Sequence, residues 1–236
     1  MKIKYVHTVK THNPLSASII LPFVFDIVKP KSVLDIGCGN GSWLTVCKDL
    51  GVPEIFGVDG IQVERSELMI EESEFLKYDL TKKLELNKKY DMAISLEVAE
   101  HLPESAADTF VESLTSHASI ILFSAAIPQQ GGQYHINEQW PNYWNEKFKK
   151  RGFQAFDILR SEFWNNEQVL WWYRQNMVFF VKQGNETFNK FEPSKDIHSL
   201  IHPSLYQKRV LKPHSSNSKK GFLKSIFIGL KKILKR

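Results

Sequence analysis

Only two cysteines occur in 236 residues, Cys38 and Cys47. They make neither a zinc ligand set nor a disulfide framework, and they point to a reducing compartment. No uncharged apolar run reaches the roughly 18 residues needed to cross a bilayer, and the opening stretch, Met1-Lys-Ile-Lys-Tyr-Val-His, has no apolar leader segment. A transmembrane anchor and secretion by a signal peptide are therefore not expected, and a cytoplasmic location is. A broad basic surface is missing as well. The net charge is +5, but Ser218 to Arg236 carries seven Lys and Arg and no acid, so subtracting these seven leaves −2 on residues 1 to 217. The body is mildly acidic and nucleic acid is not the expected partner.

What is present starts with Val33-Leu34-Asp35-Ile36-Gly37-Cys38-Gly39-Asn40-Gly41. Ser32 to Ile36 has the apolar character of a buried parallel strand, whereas Trp43, Leu44, Val46, Cys47 and Leu50 recur at helical spacing. The glycines mark a strand-to-helix switch. A tight turn through positive φ, and a ligand approaching the backbone, both favour residues without a Cβ there. This stretch reads as a nucleotide-cofactor loop.

Acids recur at the ends of the strands that follow. Glu54 to Asp59 reads as a second strand, and Asp59 lies 20 residues beyond Gly39. In a doubly wound sheet an acid there can accept from both ribose hydroxyls, with a turn role before Gly60 as the alternative. Val63 to Glu72 is expected to be helical and Glu74 to Lys77 a third strand, with Asp79 and Leu80 at its end. Asp79 could accept from an adenine amino group. Tyr90 to Leu96 is a fourth strand opening into Glu97-Val98-Ala99-Glu100-His101, followed by a helix from Pro103 to His117 and a fifth strand, Ser119 to Ser124. Upstream, Ala17 to Val28 is dense in apolar residues and predicts one or two short helices around Pro22. The alternation predicts an α/β fold: a Rossmann-like, mostly parallel, doubly wound sheet of about seven strands flanked by helices.

Beyond residue 124 the pattern changes. A polar loop runs through Gly131, Gly132, Tyr134, His135, Asn137, Glu138 and Gln139; Asn142 to Arg151 reads as helical, Phe153 to Leu159 as extended and Gln175 to Lys182 as a last strand. Phe163, Trp164, Trp171, Trp172 and Tyr173 either line a pocket for a small molecule or sugar, or fill core.

The series Asp35-x-Gly37-x-Gly39-x-Gly41, Asp59, Asp79 and Glu97 resembles the class I S-adenosylmethionine-dependent methyltransferases over roughly residues 15 to 182. A nicotinamide fingerprint is not met, because Ser42 stands where its third glycine belongs. The resemblance implies that Gly37, Gly39 and Gly41 border the methionine portion of S-adenosyl-L-methionine, with Asp35 near its ammonium. Asp59 would hold the ribose, Asp79 and Leu80 would flank adenine, and Glu97 would close the pocket. An acidic lining suits a cofactor that carries a sulfonium and an ammonium.

Transfer to a hydroxyl also needs a base. His135 is the favoured candidate and His101 the second, with a structural hydrogen-bonding role as the alternative for each. Glu97-x-x-Glu100-His101 with His135 also resembles the metal-binding pattern of small-RNA 3′-terminal 2′-O-methyltransferases, although many metal-independent relatives share that segment. No metal ligand is assigned.

In Gly221 to Arg236 the residues Phe222, Leu223, Ile226, Phe227, Leu230, Ile233 and Leu234 fall on one helical face and lysines border it. A helix there would be about 24 Å long, too short and charged to span but suited to an anionic membrane surface. The expected organisation is a methyltransferase domain over residues 1 to 183, a linker over 184 to 217 and a basic amphipathic helix over 218 to 236. The expected activity is O-methylation of a small-molecule, sugar, glycan or lipid-linked acceptor at the inner face of a membrane. The alternatives are a noncatalytic cofactor-binding or interaction subunit, and a metal-dependent RNA methyltransferase.

Overall fold

The computed structural model describes residues 14–211. They fall into two units, one ending at Leu200 and one beginning at Ile201. The first opens with helix α1 (Leu15–Val28), a single helix that runs through Pro22. An interior proline costs about 3 kcal/mol. Burial of Ala17, Ile20, Leu21 and Val24 on one face offsets it at about 1.5–3 kcal/mol for each larger side chain.

Strands β1 (Ser32–Ile36), β2 (Glu54–Asp59), β3 (Phe75–Lys77), β4 (Met92–Leu96), β5 (Ile120–Ser124), β6 (Phe153–Phe156) and β7 (Val178–Lys182) form one seven-stranded sheet in the order β3-β2-β1-β4-β5-β7-β6. The pairs from β3 through β5 are parallel, and β7 is antiparallel to both β5 and β6. The expected doubly wound, mostly parallel α/β architecture is thus observed.

Alternation along the strands builds two cores. Val33, Met92, Ile94, Ile120 and Leu122 pack toward α1 and α2 (Ser42–Asp49). Leu34, Ile36, Ala93, Ile121 and Phe123 pack toward α3 (Ala107–His117) and α4 (Pro141–Lys149). A sheet covered on both faces favours strands that are largely apolar, and β1, β4 and β5, in which only Asp35 and a few serines are polar, are buried at every position.

Several local expectations are corrected. Val63 to Glu72 forms no α-helix. Instead there are two short 3₁₀ turns, Arg65–Glu67 and Glu72–Glu74. The intervening chain is tied to the glycine loop, with Met69 N donating to Asn40 O and Thr45 Oγ1 donating to Met69 O, both at 2.8 Å. Extended strand ends at Phe156, and helix α5 (Leu159–Phe163) follows, with Arg160 paired to Asp157. Gln175 and Asn176 close helix α6 (Trp171–Asn176) rather than opening β7.

The stretch from 184 to 200, expected as linker, packs on the domain: Phe188 and Ile197 are buried, and Ser194 bridges to Ala155. In the second unit, α7 (Pro203–Tyr206) is capped by His202, whose ring accepts from Ser204 N at 3.1 Å. Among the described residues no helix is long and apolar enough to cross a membrane. The expected tail helix lies outside the described residues.

Candidate active site

Sheet order reverses at β1, which pairs with β2 on one side and β4 on the other. The crevice beyond the carboxyl ends of such strands is where an open α/β sheet binds ligands. Gly37, Gly39 and Gly41 sit there, all with positive φ. A Cβ on Gly37 would lie 2.3 Å from Val98, so the loop after β1 presses directly on the segment after β4. A Cβ on Gly41 would lie 2.9 Å from Ile70.

Asp59 is 7% exposed, and its carboxylate accepts from Gly39 N at 2.8 Å and from Ile61 N at 2.9 Å. Besides standing where a ribose acceptor is expected, it shapes the glycine loop, a role that spacing alone did not disclose. Asp35 is buried in β1. Desolvation pushes its carboxyl well above the usual range, and the neighbouring charge of Asp59 adds to the shift. Two carboxyls in one desolvated crevice favour a cationic ligand, whose charge would offset that shift. Asp79 is exposed, and its Oδ1 caps Thr81, accepting from Thr81 N and Oγ1 at 3.1 and 2.6 Å. Leu80 is buried beside it.

Glu97 follows β4 with φ +56, in the left-handed region that non-glycine residues avoid. Its two oxygens are gripped from distant elements: Asn176 Nδ2 donates to Oε1 at 3.0 Å, and Gln130 Nε2 donates to Oε2 at 2.6 Å. Gln175 Nε2 donates in turn to Gln130 Oε1 at 3.1 Å. Sequence reasoning missed this amide clamp. Its one visible signal is the polar run Arg174-Gln175-Asn176 interrupting the aromatic and apolar approach to β7. Burial pushes the Glu97 carboxyl up to about 7.

Glu100 is 0% exposed. Burial and the adjacent Glu97 charge raise its carboxyl well above the usual range, partly offset by the nearby amides of Glu100 and Ala126. Its carboxyl lies beside that of Glu97, and neither of its oxygens meets full hydrogen-bond geometry. Two buried acids side by side are expensive to ionise and invite a cation or a shared proton.

His101 ends a 3₁₀ turn, Ala99–His101, and His135 lies in the loop after β5. The fold brings both predicted histidines together, with ring centroids 4.9 Å apart and planes at 88°. The loop is fixed to the turn by Ile136 N and Asn137 N, which donate to Glu100 O at 2.9 and 3.0 Å. Glu138 is its hub, accepting from Gln129 N, Gly131 N and the His135 ring at 2.7, 2.5 and 2.8 Å.

A carboxylate can only accept, so His135 Nδ1 carries a proton, and in the neutral ring that tautomer leaves the lone pair on Nε2. His101 Nδ1 lies 3.3 Å from Tyr134 O, and the same logic applies. A Cβ on Gly132 would fall 2.0 Å from His135 Nε2, so the missing side chain leaves that nitrogen its space. One ligand atom each from Glu100, His101 and His135 lies within 4.8 Å of the others. The Glu97 carboxylate is not part of that group. Of the four non-glycine residues with positive φ among those described, Glu97, Gln129 and Tyr134 belong to this site, which is where backbone strain tends to be retained.

Of the aromatic cluster, Phe163 and Tyr173 both pack into the core on the α1 and α2 side of the sheet. Phe163 is core, edge-on to Phe23 at 5.6 Å. Trp171, Trp172 and Tyr173 are half-buried on α6.

Residues 12–158 match the family model described as a methyltransferase domain. We find no match among curated protein sequences. Among solved structures, the chain is similar to the methyltransferase domain of bacterial CtHen1, at 21% identity and a TM-score of 0.51, covering 72% of this chain and 98% of that one. It is similar to magnesium protoporphyrin IX methyltransferase from Synechocystis PCC 6803 with bound SAH, at 20% identity and a TM-score of 0.54, covering 75% and 88%. It is also similar to DesVI of Streptomyces venezuelae, at 10% identity and a TM-score of 0.53, covering 73% and 94%. At these identities the likeness is one of fold.

Proposed function

Because the chain belongs to the methyltransferase-domain family, we propose that it methylates a hydroxyl of a sugar, glycan or lipid-linked acceptor near a membrane, with S-adenosylmethionine as cofactor. The observation that carries this reading is one sheet edge holding both a glycine loop and a histidine poised by a carboxylate, His135 Nδ1 on Glu138 Oε1 at 2.8 Å.

The cofactor supplies an activated methyl group on a sulfonium. Around it, Gly37, Gly39 and Gly41 keep the backbone open, Asp59 and Leu80 receive the nucleoside, and Asp35 and Glu97 face the cationic end. His135 Nε2 takes the acceptor hydroxyl proton, and the Glu138 carboxylate stabilises the imidazolium that forms. Alignment does the remainder, since holding both reactants in register removes much of the entropic barrier. Tyr134 and Trp140, 45% and 39% exposed on the same loop, offer aromatic faces to a sugar ring.

The test is incubation with methyl-labelled S-adenosylmethionine and a membrane and metabolite extract, followed by the mass of the labelled product. A methylated sugar-bearing compound is expected. A labelled phenol would overturn the acceptor class, and full transfer by His135→Ala would overturn the base. Cofactor binding without any labelled product would favour a noncatalytic subunit.

One observation favours a second reading. Glu100, His101 and His135 fit a divalent cation, because one ligand atom from each converges within 4.8 Å, the Glu100 oxygens are buried short of full hydrogen-bond geometry, and each imidazole has its outer nitrogen engaged. A mixed carboxylate and imidazole set suits Mn²⁺, and such an ion would lower the pKa of a bound hydroxyl. Loss of transfer on exhaustive chelation, return with Mn²⁺ and label in RNA would together favour this reading over His135 acting alone.

A further inference from the structure

We propose that Tyr173 is a cofactor-binding residue whose ring, braced by Trp43, faces the sulfonium end of the cofactor; this rests on the methyltransferase reading above.

Tyr173 and Asn176 are three residues apart on α6 and therefore share a helix face. Asn176 Nδ2 is bonded to Glu97 Oε1 at 3.0 Å, so that face looks onto the end of β4. From the other side comes Trp43, the second residue of α2, just past Gly41. Its ring meets that of Tyr173 edge-on, with centroids 5.2 Å apart and planes at 79°. Tyr173 thus stands between the glycine loop and Glu97, where the methionine portion is expected.

The surroundings fit a cation. Burial, with the Glu97 and Asp35 carboxyls close by, holds the proton on the phenol. Trp172 adds a third ring, 6.0 Å from Tyr173. Neutral aromatic faces flanked by buried acids attract a positive group and discriminate little for a neutral one of the same shape. S-adenosylmethionine and S-adenosylhomocysteine differ by one methyl group and one charge at sulfur, so the pair probes this site directly.

The experiment is calorimetry of the full chain with both ligands. Tyr173→Leu should weaken S-adenosylmethionine by about tenfold and leave S-adenosylhomocysteine within about twofold, while Tyr173→Phe should keep the wild-type preference. Trifluorophenylalanine at position 173 covers the case in which Tyr173→Leu does not fold. It keeps the shape but withdraws electron density, and should reproduce the selective loss. Equal weakening of both ligands, or no change in either, overturns the proposal and leaves the methyltransferase reading standing. Wild-type chain that binds neither ligand overturns that reading instead, and this proposal with it.

Discussion

Gly132→Ala adds one methyl group at a point where the loop has none, 2.0 Å from His135 Nε2. Real Cβ contacts do not fall below 3.0 Å, so ring and loop must separate by the difference, about 1 Å, and a misplacement of that size costs about 10²-fold in rate. The ring cannot swing aside freely, because its Nδ1 is held by Glu138 and Glu138 is held by the amides of Gln129 and Gly131. The backbone itself should tolerate alanine: Gly132 is exposed and, unlike Gly131, has no positive φ. Stability should therefore change by less than about 1 kcal/mol, the scale of one net hydrogen bond, while about 2.7 kcal/mol is added to the barrier. Transfer of labelled methyl into the acceptor extract, run beside calorimetry with S-adenosylhomocysteine and a thermal melt, separates the two effects. Intact binding and melting with transfer reduced about 100-fold is the expected result. Wild-type transfer by a folded Gly132→Ala chain would refute the placement of His135 at the reacting centre.

Asp59→Ala should abolish S-adenosylhomocysteine binding in calorimetry, because it removes the expected ribose acceptor and leaves Gly39 N without its partner, a loss of about 1–3 kcal/mol for the buried amide alone. Retained affinity would contradict the cofactor placement. Glu97, with its pKa raised from 4.5 to about 7, keeps its proton longer in the folded chain than in the unfolded one. Stability should consequently be fullest below the unfolded value and fall as pH rises through about 7, with Glu100 acting in the same direction. Urea denaturation across that window checks this, and a midpoint that rises with pH would contradict it. Deleting residues 218 to 236 should abolish sedimentation with anionic liposomes, since about 1 kcal/mol per basic residue near the surface would be lost; unchanged sedimentation would exclude the tail as the membrane contact.

Local pattern carried most of the architecture. The runs that became β1, β4 and β5 were legible because a strand buried on both faces is apolar at most positions, with only Asp35 and single serines interrupting. The glycine loop was legible because positive φ restricts residue choice. The stretch from Val63 to Glu72 was misread because its apolar residues, Val63, Leu68, Met69 and Ile70, allow a helix locally, whereas tertiary hydrogen bonds to Asn40 and Thr45 hold it extended. Composition likewise suggested a linker after residue 183, but Phe188 and Ile197 reach back into the two cores.

The chain by itself determined a strand-loop-helix cofactor motif, a succession of acids at strand ends and two candidate histidines, since each depends on residue type and short-range spacing. Only the tertiary structure decided that His101 and His135, 34 positions apart, stand ring to ring. It alone showed that Asp59 shapes the loop it serves, that Gln130 and Asn176 clamp Glu97, and that Glu100 is buried beside Glu97. Those relations join segments far apart in the chain, and their energies come from burial and hydrogen bonding that exist only once the sheet has brought the strand ends to one edge.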